Sequence, residues 1–141
     1  MPIVPNLMVD DMDRALAFWR DLLGFEVVLA VDGNRGVRTD GTTTTAMFVT
    51  LRWQDAELMP QVAPSLHDEV PGVMSAGAGA PTSTIYLRGY APQLALARVA
   101  RQAIIMGPRR QWYGMTELHL RDADGHVVGL GVPEGPPPPA A

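Results

Sequence analysis

The sequence predicts an α+β fold made of two βαβββ modules. An apolar strand followed by an amphipathic helix with clear start and stop signals lies near the N-terminus. β-rich segments separated by Gly- and Asp-containing turns follow it, and the same order of elements recurs in the second half with weak sequence similarity. The 141 residues, 47% of them hydrophobic, suffice for one compact domain or for two small modules that share a core.

The first module is expected over residues 1–53. Asp10 or Asp11 is a good N-cap for the helix, and Gly24 is a good stop signal. The helix carries apolar residues at helical spacing, namely Met12, Leu16, Trp19 and Leu23. The strands of this module are expected at residues 3–9, 25–31 and 43–51, with a turn at 33–36.

Residues 54–81 are rich in Pro, Gly, Ala and Ser without clear periodicity, so the sequence predicts a long connecting loop there. The second module is expected over residues 82–133. Its strands are expected at residues 82–88, 103–106, 116–121 and 126–132, and its helix begins near Pro92 and includes Leu94, Ala97, Val99 and Arg101. Residues 134–141 are expected to form a disordered proline-rich tail.

The composition excludes several classes of function. A net charge of −4 argues against nucleic acid as a partner, because nucleic-acid-binding surfaces are usually basic. The absence of cysteine excludes disulfides and thiol catalysis. No segment has the roughly 20 apolar residues of a membrane span. We therefore expect a cytoplasmic protein that does not bind a membrane.

Two motifs carry a family resemblance: Val9-Asp-Asp-Met-Asp-Arg-Ala-Leu-Ala-Phe-Trp-Arg-Asp-Leu-Leu-Gly-Phe25 and Arg121-Asp-Ala-Asp-Gly-His-Val-Val-Gly-Leu130. They resemble the opening and closing signatures of the vicinal oxygen chelate superfamily, which includes glyoxalase I, extradiol dioxygenases and bleomycin-resistance proteins. The resemblance implies that the sheets of two βαβββ modules curve around a cup. In the enzymes of that superfamily, His, Gln and Glu side chains hold a metal in the cup.

The resemblance implies that the metal-ligand positions of this chain are Val4, Thr50, Thr84 and Gly129. None of them carries a His, Gln or Glu, and Val and Gly have no side-chain donor at all. We therefore expect no metal and no cofactor, as in the bleomycin-resistance branch of the superfamily.

Alternation along each strand predicts which side chains face the cup, because successive residues point to opposite faces. Together with aromatic residues expected at the rim, this gives a predicted set of ligand-binding residues. They are Asn6, Phe48, Arg52, Trp53, Tyr86, Arg88, Trp112, Tyr113, Glu117 and His119.

Two parts of this set have two readings each. Glu117 and His119 share a strand face opposite Leu118 and Leu120, so they form either a polar ladder on a sheet surface or a ligand-contacting pair in the cup. The aromatic Trp112, beside Arg residues, either stacks on a planar ligand or packs in a dimer interface. The same two alternatives apply to Trp53.

The preferred functional hypothesis is a metal-independent, homodimeric protein of the bleomycin-resistance type that sequesters a small molecule, planar or cationic, in a groove between subunits. The alternative is an enzyme of the same superfamily, a lyase, isomerase or dioxygenase-like protein, with Glu117 and His119 as acid and base. A third possibility is a dimeric interaction module without a binding cavity.

Overall fold

The computed structural model of the protein describes residues 2–71 and 83–135. The chain divides into two compact units, Met1–Gly79 and Ala80–Ala141, and each unit contains its own β-sheet. Residues 136–141 of the tail predicted at 134–141 and residues 72–81 of the loop predicted at 54–81 lie outside the described residues.

The first unit contains a five-stranded sheet and two helical segments. Its strands are β1 (Asn6–Val9), β2 (Glu26–Asp32), β3 (Val37–Arg38), β4 (Ala46–Trp53) and β5 (Ala56–Val62). Its helices are α1 (Met12–Leu16), which continues as a π-helix over Ala17–Leu22, and α2 (Ala63–Glu69). The strand order is β1-β5-β4-β2-β3, and β1 runs parallel to β5 while the other neighbours are antiparallel.

The predicted start and end signals of α1 are present in the structure. The Asp11 carboxylate accepts a hydrogen bond from the Arg14 backbone N–H at 3.1 Å, which satisfies an otherwise unpaired N-terminal donor. Gly24 ends the segment with a φ of 86°, a conformation that glycine adopts without steric cost. Between these ends, Trp19 is fully buried and packs edge-on against Phe25. The helix is therefore fixed to the sheet by an aromatic core.

The second unit repeats this arrangement. Its elements are β6 (Thr84–Arg88), α3 (Pro92–Leu96), a 3-10 turn (Arg101–Ala103), β7 (Ile104–Arg110), β8 (Met115–Arg121) and β9 (Val127–Pro133). The strand order β6-β9-β8-β7 matches β1-β5-β4-β2 of the first unit, and β6 is parallel to β9 as β1 is to β5. Apart from α2 and the two-residue strand β3, which are additions in the first unit, the βαβββ order occurs twice, which confirms the predicted α+β fold class.

The prediction that residues from 54 onward form a loop was wrong for 56–69, which form β5 and α2. Pro60 lies in the middle of β5, between β1 and β4, and a proline is an unusual residue for a central strand because it cannot donate a ladder hydrogen bond. The strand forms because Leu58 and Pro60 are buried on one face and Gln61 on the other. The first βαβββ module therefore extends past residue 53.

The helix of the second unit is shorter than predicted. It ends at Leu96, so Ala97, Val99 and Arg101 lie beyond it, although all three were expected to be helical. Pro92 and Ala95 are its buried residues, and such a narrow apolar face stabilises only a short helix. None of the helices in the described ranges has the length and hydrophobicity needed to cross a bilayer.

A core leucine and a surface leucine of the second unit allow a matched test of this packing. Leu118 is fully buried, whereas Leu94 is 59% exposed. Leu118→Ala should lower the free energy of unfolding by about 2–5 kcal/mol because it leaves a cavity, and Leu94→Ala should change it by no more than about 0.5 kcal/mol. Urea denaturation measures both values, and equal losses would contradict the assignment of the core face of β8.

Candidate functional site

The polar face of β8 provides the central side chains of the candidate site. Leu118 and Leu120 are fully buried on one face of the strand. Glu117 and His119 alternate with them and therefore point to the opposite face. Glu117 is only 3% exposed, which is rare for a carboxylate and requires local compensation of its charge.

Two tyrosine hydroxyls compensate the Glu117 carboxylate. The Tyr86 hydroxyl, from β6, donates to Glu117 Oε2 at 2.6 Å, and the Tyr113 hydroxyl, from the turn before β8, donates to Oε1 at 2.6 Å. Hydrogen bonds to an ionised acceptor are short and strong. Residues from three separate segments of the second unit are thereby joined at one charged group.

The electrostatics of this cluster favour the ionised carboxylate. Burial alone would raise the pKa of Glu117, but the hydrogen bonds from Tyr113 and Tyr86 and the proximity of His119 lower that pKa below its ordinary value. The pKa of Tyr86 is raised by burial and by its bond to Glu117. The pKa of Tyr113 is raised by its bond to the same carboxylate. At neutral pH the cluster is a buried anion between two protonated phenols.

Two glycines of β9 make room for Tyr86. Gly129 is the register partner of both Tyr86 and His119, and a β-carbon there would lie 2.8 Å from Tyr86 Cδ2 and 3.0 Å from His119 Nε2. A β-carbon at Gly131 would overlap the Tyr86 hydroxyl. The tyrosine ring therefore lies across β9, and any side chain at Gly131 would displace the hydroxyl that bonds Glu117.

His119 lies beside this cluster, with its ring centroid 6.4 Å from that of Tyr86. Its Nδ1 atom is buried and has no hydrogen-bond partner among the described residues. The structure therefore places Glu117 and His119 on the same face, as predicted. The Glu117 carboxylate accepts hydrogen bonds from Tyr86 and Tyr113.

A cleft of about 510 Å³ opens at the cluster. It is lined by Tyr86, Arg88, Tyr113, Gly114, Met115, Glu117, Pro133 and Gly135. Trp112 is next to it in sequence, 82% exposed, and packs edge-on against the Tyr113 ring with centroids 5.3 Å apart. Six of the predicted binding residues, Tyr86, Arg88, Trp112, Tyr113, Glu117 and His119, thus lie at or beside one cleft.

The predicted binding residues of the first unit are divided. Asn6 donates to the Gln61 side-chain oxygen at 3.3 Å, and Phe48 lines a cleft of about 740 Å³ together with Gln61. Arg52 instead lies opposite Glu57 at 3.9 Å. Trp53 packs on the helix side of the sheet, with its ring centroid 6.4 Å from that of Phe25, so its predicted position at a ligand rim is not observed.

Sequence reasoning missed Gln61 because it missed β5. The residue is 2% exposed, and its amide nitrogen donates to Ser65 Oγ at 3.0 Å and to Glu69 Oε2 at 2.8 Å. The available signal for a strand was alternation, with the apolar Leu58 and Pro60 on one face and the polar Gln61 on the other. The proline argued against a strand and so obscured this signal. Gln61 joins α2 to the sheet beside the first cleft.

The residues at the family's metal positions do not fit a metal ion. Val4 and Gly129 have no side-chain donor atoms, and Tyr86 and His119 fill the space above Gly129. Thr50 lies on β4, which is separated from β1 by β5. Thr84 supplies one exposed hydroxyl. Within residues 2–71 and 83–135, no three His, Asp or Glu side chains are grouped as metal ligands.

The tyrosine hydroxyls predict how the pKa of Glu117 responds to substitution. Tyr86→Phe removes a donor to the ionised carboxylate and should raise the pKa of Glu117. The stability that Glu117 contributes is present above its ordinary pKa of 4.5 and is lost as the pH falls through the lower folded value. A carboxyl carbon NMR titration measures the shift, and acid unfolding should begin at a higher pH in the variant.

Tyr90→Phe is the matched control for this titration, because Tyr90 is also buried but does not donate to Glu117. Its Glu117 titration should coincide with that of the unsubstituted protein. An unchanged pKa in Tyr86→Phe would mean that the Tyr86 hydroxyl does not stabilise the ionised carboxylate.

Comparisons with known proteins give the family. A model described as the Glyoxalase/Bleomycin resistance protein/Dioxygenase superfamily matches residues 3–130. No curated protein matches the chain. Among solved structures, a protein of unknown function from Agrobacterium tumefaciens has 22% sequence identity and a TM-score of 0.68, and the match covers 94% of this chain and 93% of that one.

Two further solved structures show the same fold. TioX from Micromonospora is 17% identical with a TM-score of 0.66, covering 92% of this chain and 96% of that one. TnmS3, an antibiotic binding protein from Streptomyces, is 19% identical with a TM-score of 0.57, covering 95% and 98%. Because the family model spans nearly the whole sequence, the protein belongs to the glyoxalase/bleomycin resistance protein/dioxygenase superfamily that the motifs at its two ends resemble.

Proposed function

We propose that this protein is a metal-independent binding protein that sequesters a small molecule, planar or cationic, at the cleft of the second unit. The observation that carries the proposal is the buried Glu117 anion, held between the Tyr86 and Tyr113 hydroxyls at 2.6 Å and open to a cleft of about 510 Å³. A few placed polar groups within a partly apolar cleft are what small-molecule sites use to fix a ligand.

The hydrogen-bond directions define what such a ligand offers. Both tyrosine hydroxyls donate to Glu117, so the remaining lone pairs on their oxygens are acceptors for N–H or O–H groups of a ligand. The negative charge behind them favours a cationic donor. Arg88, exposed at the same cleft, is suited to a carbonyl or acidic oxygen.

The arrangement of Glu117 favours binding over acid–base catalysis. Each of its oxygens already accepts a tyrosine hydroxyl, and its lowered pKa makes it a weak proton acceptor near neutral pH, where an efficient general base has a pKa near the working pH. A bound compound should therefore be recovered chemically unchanged. The name of the solved Streptomyces protein, an antibiotic binding protein, supports an antibiotic as the class of ligand.

We propose further that the protein is a cytoplasmic homodimer and that its binding groove lies between subunits. Exposed apolar side chains on the second unit support a contact with another chain: Ile105 and Trp112 are 45% and 82% exposed. A partner chain that covers exposed apolar side chains removes their surface from water, which stabilises the complex.

Substitutions at the second cleft test the binding function. A thermal-shift screen of bleomycin and planar aromatic antibiotics, each with and without EDTA, identifies a compound that stabilises the protein. Trp112→Ala should then weaken that compound by roughly 1–3 kcal/mol through lost stacking, and Glu117→Gln should weaken a cationic compound because it removes charge and preserves shape. Isothermal titration calorimetry measures both affinities.

Val37→Ala is the control for these variants, since it removes an exposed apolar side chain of the first unit that lines neither cleft and has no part in the proposed subunit contact. Its affinity should equal that of the unsubstituted protein, and EDTA should not alter binding. If Trp112→Ala and Glu117→Gln remain folded and bind with unchanged affinity, the ligand does not occupy this cleft.

The dimer has a direct test in solution. Sedimentation velocity at micromolar concentration should give a mass of about twice the 15.2 kDa of one chain, because the exposed apolar side chains are covered by a second copy. A species that stays at the mass of one chain at every concentration would remove the groove between subunits from the proposal.

A further inference from the structure

A cleft in the first unit has no role in the function proposed above. It encloses about 740 Å³. Its walls are the β2–β3 hairpin and α2, and its floor is formed by β4 and β5 residues. The apolar lining consists of Val31, Met47, Phe48 and Pro64.

The floor of this cleft differs chemically from that of the second unit at a matching pair of positions. Phe48 of β4 is paired with Gln61 of β5, just as Glu117 of β8 is paired with Gly131 of β9. The first unit therefore has an aromatic ring where the second unit has its buried carboxylate. An apolar group is favoured on such a floor.

The charges of the first cleft lie instead on its walls. Asp32, Asp68 and Glu69 line it, and Arg35 is the one cationic residue in its lining. Within the described part of the chain, no ion pair neutralises these three carboxylates. The negative charge of the walls favours a cation in the cleft.

The Gln61 amide fixes one of these carboxylates in place. It is buried, accepts a hydrogen bond from Asn6 and donates to both Ser65 and Glu69. The last of these bonds, at 2.8 Å, holds one Glu69 oxygen toward the sheet. A carboxylate positioned beside the cleft loses less side-chain entropy when it binds a cation.

We propose that the first-unit cleft binds an organic cation, whose apolar body contacts Phe48 and Met47 and whose ammonium group lies beside Asp68 and Glu69. An aromatic ring and an aliphatic side chain bury the body of the ligand. The two carboxylates bind its charge. All the residues that line this site belong to the first unit.

Three probes of one shape and different charge test this site. Phenylpropylammonium, phenylpropanol and phenylpropionate are titrated at about millimolar concentration into the full chain, and amide NMR shifts locate the binding. The ammonium compound should shift the amides of Phe48, Gln61 and Ser65 and bind more tightly than the alcohol. The carboxylate should bind least, and added salt should weaken the ammonium compound.

The variant Asp68→Asn/Glu69→Gln removes two charges while keeping an oxygen at residue 69 to accept from Gln61. It should bind phenylpropylammonium roughly three- to tenfold more weakly, the change that two exposed charge interactions allow. Asp13→Asn/Glu26→Gln removes two exposed charges of the same unit outside the cleft and should bind almost as well as the unsubstituted protein.

Several results would overturn the proposal. They are equal binding of the alcohol, amide shifts confined to other residues, no measurable binding of the ammonium compound, or equal losses in the two double variants. If the cleft variant does not fold, Asp68→Asn alone decides, with a smaller expected loss. Because every readout lies on the first unit, these results leave the Glu117 proposal unaffected.

Discussion

The strands of both sheets are half-buried, and this constraint determines which residues can form a site. On each strand, one set of alternating side chains packs against its helix, and only the other set can contact a ligand. Leu118 and Leu120 are fully buried, so Glu117 and His119 are presented together on the opposite face. The stability of the core and the composition of the site are therefore fixed by the same alternation.

This constraint explains how much was predictable from the sequence. The two βαβββ modules, the Asp11 cap and the polar face of β8 follow from periodicity and capping signals. β5 does not, because Pro60 argues against a central strand. Because β5 was not predicted, Gln61 was not recognised as a buried polar residue of the sheet. One unusual residue, Pro60, thus made the predicted site of the first unit incomplete.

Sequence patterns do not predict which side chains from distant segments form hydrogen bonds with one another. Tyr113 and Tyr86 were predicted near the cleft, but their shared bonds to Glu117 depend on the turn geometry before β8 and on the space above β9. Gly129 was interpreted as the loss of a metal ligand. In the structure the absence of a side chain at Gly129 leaves space for the Tyr86 ring and for His119.

The two units show how one backbone arrangement supports different chemistry. The strand pairs Phe48–Gln61 and Glu117–Gly131 have matching places in their sheets, so neither backbone course nor register distinguishes them. In the second unit the buried charge is compensated by two phenol donors, one on each carboxylate oxygen. In the first unit the floor is aromatic and the carboxylates are on the walls, where water already solvates them. A cation can therefore approach the wall carboxylates directly, whereas in the second unit it meets the tyrosine oxygens first.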